Sequence, residues 1–107
     1  MEIWLELVTH HPEAHFWVAQ NKTVPIEILR ILAASSDWHT RSMVAAKNKA
    51  TPDILEVLAN DDHDAVRHTV AGHRNTPTNT LMTLCSDTWH EVRRTAQDNL
   101  SKRDKKA

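Results

Sequence analysis

Residues 51–76, TPDILEVLANDDHDAVRHTVAGHRNT, read as one helix–turn–helix unit, and the rest of the chain is that unit written again with variations. The apolar set Ile54-Leu55-Val57-Leu58 falls 26 residues after Ile28-Leu29-Ile31-Leu32 and 26 residues before Thr80-Leu81-Thr83-Leu84. In the second half of the unit, Val44, Val70 and Ala96 are spaced by 26, as are Arg41, Arg67 and Arg93. A fourth copy opens the chain, with Trp4-Leu5-Leu7-Val8 in its first helix, Val18-Ala19 in its second, and an inner turn two residues shorter. Self-similarity at one fixed period of this length belongs to stacked helical repeats. The sequence therefore predicts an all-α helical solenoid of four repeats of about 26 residues, filling residues 1–100, with a polar flexible tail at 101–107.

The punctuation between helices supports this reading. Ser36, Asp62 and Thr88 share one column ahead of the second helices, and all three are N-cap types that accept a hydrogen bond from an orphaned backbone N–H. Thr88 with Glu91 adds a capping box. Thr51-Pro52 and Thr76-Pro77 suit the starts of first helices, a Thr cap followed by Pro in the first turn. First helices are apolar at i, i+1, i+3 and i+4, a stripe wide enough to be gripped from both sides. Second helices carry fewer apolar residues and more charge, which predicts that they line the more exposed, concave surface.

The run Leu58-Ala59, Asp61-Asp62, Val66-Arg67, Val70-Ala71 and Thr76-Pro77 resembles the variant leucine-rich repeat family, with HEAT-type repeats as a looser relative. The resemblance covers roughly residues 4–100 and implies a right-handed superhelix of alternating short and longer helices. The repeats here run to 26 residues, longer than the family's unit, and the inner turns lack the family's prolines. Some members carry an iron–sulfur cluster beside the repeats. A single cysteine, Cys85, does not supply the thiolates for one. Cys85 aligns with Ala33 and Ala59, as a small core residue would.

Composition narrows the class. With 40% hydrophobic residues, one Gly and four Pro in 107 residues, the chain is folded rather than disordered. No run approaches the roughly 18 apolar residues of a membrane helix, and no leader of the secretory type is evident. One cysteine excludes an internal disulfide, so a cytoplasmic location is expected.

Candidate functional residues fall into four sets. The column Arg41, Arg67, Arg93 is either a structural ladder pairing with nearby acids and carbonyls or a phosphate-binding one. Basic residues gather in second helices, the loops after them and the tail, and only Arg30 of the 13 Lys and Arg lies in a first helix. That segregation suits either helix-dipole complementation or a basic edge for nucleic acid. Its candidates are Arg67, Arg74, Arg93, Arg94, Lys102 and Arg103. Trp38-His39, His63 and Trp89-His90 stand in successive inner turns, as aromatic anchors for a protein partner would. Trp4, Phe16 and Trp17 crowd the N-terminal repeat and suggest self-association there.

Of eight histidines, only His11 and His15 have a metal-ligand spacing, and no set of residues around them completes a metal site. No nucleophile, base and orienting group occur together, and no Gly-rich phosphate loop is present, so neither an enzyme nor a cofactor is expected. The leading expectation is a non-catalytic module that binds protein through its second-helix surface and inner turns, here at Trp38, His63, Trp89 and His90. The alternative is nucleic-acid binding along the basic edge.

Overall fold

The apolar quartets become buried ridges. Ile28, Leu29 and Leu32, then Ile54, Leu55 and Leu58, then Leu81 and Leu84 are at most 3% exposed. The third member of each quartet departs from the expected grip on both sides: Ile31 and Val57 face outward, 42% and 64% exposed. The computed structural model describes residues 2–106, and the side chains of residues 3–103. Among these residues the fold is all-helical, with no strand. Helices α1 (Glu2–His10), α2 (His15–Gln20), α3 (Ile26–Leu32) and α4 (Trp38–Ala46) are followed by α5 (Pro52–Leu58), α6 (Asp64–Ala71), α7 (Thr78–Leu84) and α8 (His90–Lys106). A 3-10 turn at Pro12–Ala14 leads into α2.

Helices α3, α5 and α7 have seven residues each, a length at which an isolated helix is marginal in water. Their helicity is therefore a consequence of packing. Each packs against the helix that follows it, and α2, α4, α6 and α8 pack on one another in succession. Val18, Val44, Val70 and Ala96, one column of the sequence, lie buried in that succession, beside Ala19, Ala45 and Ala71. Small and β-branched side chains suit close approach of helices. The extents of the molecule are 43 × 27 × 17 Å. No described helix is long and apolar enough to cross a membrane.

The helix starts lie one residue later than the sequence suggests. The N-caps of α4 and α6 are Asp37 and His63, and α8 begins at His90, so Ser36, Asp62 and Thr88 stand outside the cap position. The cause is a side-chain turn in the column just before. Ser35 Oγ, Asp61 Oδ1 and Asp87 Oδ1 accept the N–H of Asp37, His63 and Trp89, at 3.3, 2.9 and 2.9 Å. That bond carries the chain one residue further before the helix begins. Thr51 does stand at the N-cap of α5 with Pro52 at the first position, but its hydroxyl donates to the Asp53 carboxylate. Thr76 is buried and donates to the Val70 carbonyl at 2.7 Å, leaving Pro77 to cap α7. Cys85 is half-buried at the C-cap of α7, packed on the edge of the core.

The expected tail at 101–107 differs as well. Residues 101–106 continue α8, because no Gly or Pro interrupts them and Arg103 donates to the Arg74 carbonyl at 2.9 Å, tying this turn to the loop after α6. Ala107 and the side chains of 104–106 lie outside the described residues.

Burial sets a gradient of expected sensitivity. Leu55 is wholly buried, whereas Leu5, which holds the same place in the first helix, is 45% exposed. Leu55→Ala is expected to cost about 2–5 kcal/mol, and Leu5→Ala clearly less. Urea denaturation of the two variants compares them, and equal losses contradict this packing order.

Candidate functional site

One guanidinium arrangement recurs through the second helices. Arg41, on α4, donates from Nε to Asp61 Oδ2 at 2.6 Å and from Nη2 to Asp61 Oδ1 at 3.1 Å. Its Nη1 donates to the Ser35 carbonyl at 2.7 Å. Arg67, on α6, does the same one unit later: Nε and Nη2 reach Asp87 at 2.8 and 3.1 Å, and Nη1 reaches the Asp61 and Asp62 carbonyls at 2.9 and 3.3 Å. Each arginine thus holds the turn before its own helix with one edge and the next turn's carboxylate with the other. The Asp61 and Asp87 side chains are 7% and 8% exposed, so these bidentate pairs are largely removed from water.

The same contact exists at the start of the chain in different chemistry. His15, 26 residues before Arg41, donates from Nε2 to the Val8 carbonyl at 2.7 Å. Its Nδ1 then accepts from the Ser35 hydroxyl at 2.9 Å. This first rung carries no ion pair. At the other end Arg93 repeats half of the pattern: its Nη1 donates to the Asp87 and Thr88 carbonyls at 2.8 and 3.2 Å. The histidine spacing considered for metal binding thus resolves otherwise, with His15 engaged in this rung and His11 beside Glu13 at 3.2 Å.

A second polar column runs along the helix C-termini. Lys47 Nζ donates to the Asn21 carbonyl at 2.9 Å, His73 Nε2 to the Lys47 carbonyl at 2.7 Å, and Asn99 Nδ2 to the His73 carbonyl at 3.0 Å. Each bond spans 26 residues and brings a side-chain donor to a carbonyl at or just after a helix end. The Lys47 and His73 carbonyls also accept the Ala50 and Thr76 N–H, at 3.0 and 3.3 Å. His73 is buried, and its Nδ1 accepts the Asn75 N–H at 2.9 Å, so both ring nitrogens are engaged. Lys49 likewise donates to the Val24 carbonyl. Burial, with Lys49 and Lys22 nearby, pushes the Lys47 amine below its ordinary range.

These contacts sort the expected basic edge. Arg67 is engaged with Asp87, and Arg103 with the Arg74 and His73 carbonyls and Thr78. Arg74, Lys102 and Arg103 do come together, lining a groove of about 350 Å³ with Gly72, Thr95, Asp98 and Asn99. Arg93 and Arg94 lie on α8 outside that lining, Arg94 exposed and Arg93 half-buried.

The aromatic candidates also divide. Trp38 is half-buried in a sandwich, with His39 at 3.8 Å between ring centroids and His63 at 3.9 Å and nearly parallel. His63 is in addition the N-cap of α6, its Nδ1 accepting the Ala65 N–H. Trp89 leans on His68 at 5.6 Å and is 37% exposed, and His90 beside it is exposed. At the N-terminal end Trp4 packs on the core and Phe16 meets Trp17 and His39 edge-on. The exposed apolar surface there belongs to Ile3, Leu5 and Trp17.

Neither a protein-family model, a curated protein nor a solved structure matches the chain.

The acids of the ladder make stability depend on pH. Burial raises the Asp61 carboxyl, but the Arg41 guanidinium and the His63 N–H outweigh it and hold the group below its ordinary value of 3.8. Asp87 is held low in the same way, burial being outweighed by Arg67 and the Trp89 N–H. A carboxyl held lower in the folded than in the unfolded chain contributes stability that is present above about pH 4 and lost as pH falls through the folded value. Urea midpoints between pH 2 and 7 are therefore expected to drop in the acid range. The double variant Asp61→Asn, Asp87→Asn is expected to be less stable at pH 7 and flatter with pH. An unchanged acid limb in the variant removes these two groups as its source.

Proposed function

We propose that the chain is a right-handed solenoid of four helix–turn–helix repeats, of the kind that the variant leucine-rich and HEAT-type repeats exemplify, and that it works as a non-catalytic protein-binding module. Support for the repeat reading comes from hydrogen bonds that recur with the sequence period, in the arginine rungs and in the carbonyl column. The observation that carries the binding reading is the unequal covering of the aromatics. Trp38 is covered by His63 of the following turn, whereas Trp89 is 37% exposed and His90, at the start of α8, is exposed. A tryptophan that the fold leaves exposed is a residue type enriched in interface hot spots. The partner surface is therefore the last inner turn together with the adjoining faces of α6 and α8.

Nucleic-acid binding is the second reading, and the groove at Arg74, Lys102 and Arg103 is what favours it. Two observations weigh against it. Arg67 and Arg103 already serve carboxylate and carbonyl partners, and the formal net charge is −1, so few cations remain to release counterions.

Substitutions separate the two. For protein binding, Trp89→Ala is expected to cost about 2 kcal/mol or more of partner affinity, while Arg74→Glu with Arg94→Glu changes little. Gel shifts with generic duplex and single-stranded probes check the other side: salt-sensitive binding abolished by the two Arg changes overturns the protein-binding choice.

The apolar N-terminal end adds a further expectation. Trp17 is 71% exposed and Ile3 75%, so the protein is expected to self-associate weakly, and Trp17→Glu to suppress it. Sedimentation at rising concentration reads this directly, and a monomer at every concentration rules it out.

A further inference from the structure

We infer that Arg93 is a preformed receptor for a carboxylate, and that the partner segment it receives is an acidic turn leading into a helix, of the kind formed by Asp61 and Asp87 within this chain. The inference rests on the protein-binding reading and supplies its recognition chemistry.

The molecule shows the bound form of such a receptor twice. In Arg41 and Arg67, Nη1 is fixed by the carbonyls of the preceding turn, which orients the planar guanidinium. Nε and Nη2 then project as a two-pronged edge toward the next turn, where a carboxylate closes both bonds. Arg93 has the same fixing bonds, at 2.8 and 3.2 Å, which match the 2.9 and 3.3 Å of Arg67. Among the described residues no carboxylate meets its Nε and Nη2, and only its Nη1 is bonded, to the Asp87 and Thr88 carbonyls. The edge is thus oriented before any partner arrives, and little side-chain freedom remains to be lost on binding.

The occupant follows from what closes the other two rungs. Each acceptor is an Asp whose Oδ1 also takes the N–H two residues on, a turn that aims the carboxylate at the arginine and starts the next helix. The residue at that second position, His63 or Trp89, is aromatic and rests on the preceding unit's surface, on Trp38 or His68. A complementary partner therefore carries Asp, one intervening residue and an aromatic ring at the start of a helix. A second copy of this chain does not supply it. The corresponding position of the first unit is Thr9, without a carboxylate, and the first rung is made by His15 and Ser35. A phosphate also fits a guanidinium fork, but it brings neither the turn nor the ring.

The test uses the full-length chain and a lactam-bridged helical peptide with the sequence of residues 60–71, NDDHDAVRHTVA, its helicity verified by circular dichroism. The arginine Nε–H resonances are followed by NMR, with those of Arg41 and Arg67 as internal references because they are already bonded. The expected result is a saturable shift of Arg93 alone, weakened about tenfold or more when the peptide carries Asn at the position of Asp61. Arg93→Lys keeps the charge and removes the fork, and is expected to lose peptide binding while its melting temperature stays close to that of the parent. Three results overturn the inference: no movement of Arg93, equal response to the Asp and Asn peptides, or a generic oligonucleotide acting at a tenfold lower concentration than the peptide. Its failure is distinguishable from failure of the binding reading. A protein partner lost with Trp89→Ala but retained by Arg93→Lys sustains the module and removes the carboxylate receptor.

Discussion

The bond on which this structure depends joins one guanidinium to two successive turns. A short helix pair buries too little surface to stand alone, so each must be fixed to the next in rotation as well as in separation. Apolar side chains such as Leu29, Leu55 and Leu81 provide the attraction, but a smooth apolar ridge tolerates some sliding. The arginine fork does not. Arg41 and Arg67 each present Nε and Nη2 in one plane to both oxygens of an Asp, and that geometry fixes the register of the following turn. Lysine, a point charge on a flexible stem, cannot impose the same constraint. Because the Asp side chains are nearly buried, removing one partner leaves a charge with neither water nor a counter-ion.

How far this was legible from the sequence depends on whether a contact stays within one unit or crosses between two. The apolar quartets and the columns of Arg, Val and Ala are visible as spacing, and they account for the helices and the core. The arginine column is visible too, as is the choice between an acid of the turn and a phosphate. What spacing alone conceals is that the partner lies 20 residues on, across the boundary between units, because several acids are equally near in sequence. His15 is hidden by its own residue type: it stands 26 residues before Arg41, yet imidazole does not resemble guanidinium, and its spacing from His11 points only to a metal pair that no further ligand completes. The column of Lys47, His73 and Asn99 conserves a role without conserving a residue type, each donating to a carbonyl of the unit before. Its members share only a donor at the right reach.

Surface chemistry was the harder part for a related reason. Counting cations finds a basic edge, but a charge matters to a partner only if the fold has not already engaged it. Arg67 has one role with Asp87, Arg103 another with the loop after α6, and Lys47 and Lys49 serve carbonyls of the preceding unit. Much of the segregation of Lys and Arg into second helices and the loops after them is thus explained by hydrogen-bond satisfaction at helix ends. The same holds for the aromatics. Trp38 looks like Trp89 in sequence, each followed by His, but stacking against His39 and His63 makes one a part of the wall and leaves the other at the edge.

The two ends of the molecule are consequently different in kind. At the first end the rung is a histidine and a hydroxyl, and the exposed surface is apolar, with Ile3, Leu5 and Trp17. At the last end the rung is an arginine fixed on one edge only, flanked by an exposed Trp and the polar residues Gln97 and Asp98. An apolar surface gains by meeting another apolar surface, whereas an oriented guanidinium gains by meeting a carboxylate. Neither end offers what the other requires. Head-to-tail stacking of identical chains would leave the Arg93 fork facing Thr9 and bury polar side chains against Trp17, so open-ended growth is disfavoured. The self-association proposed for the exposed Ile3, Leu5 and Trp17 would instead pair like with like and leave the Arg93 fork of each copy for a different partner.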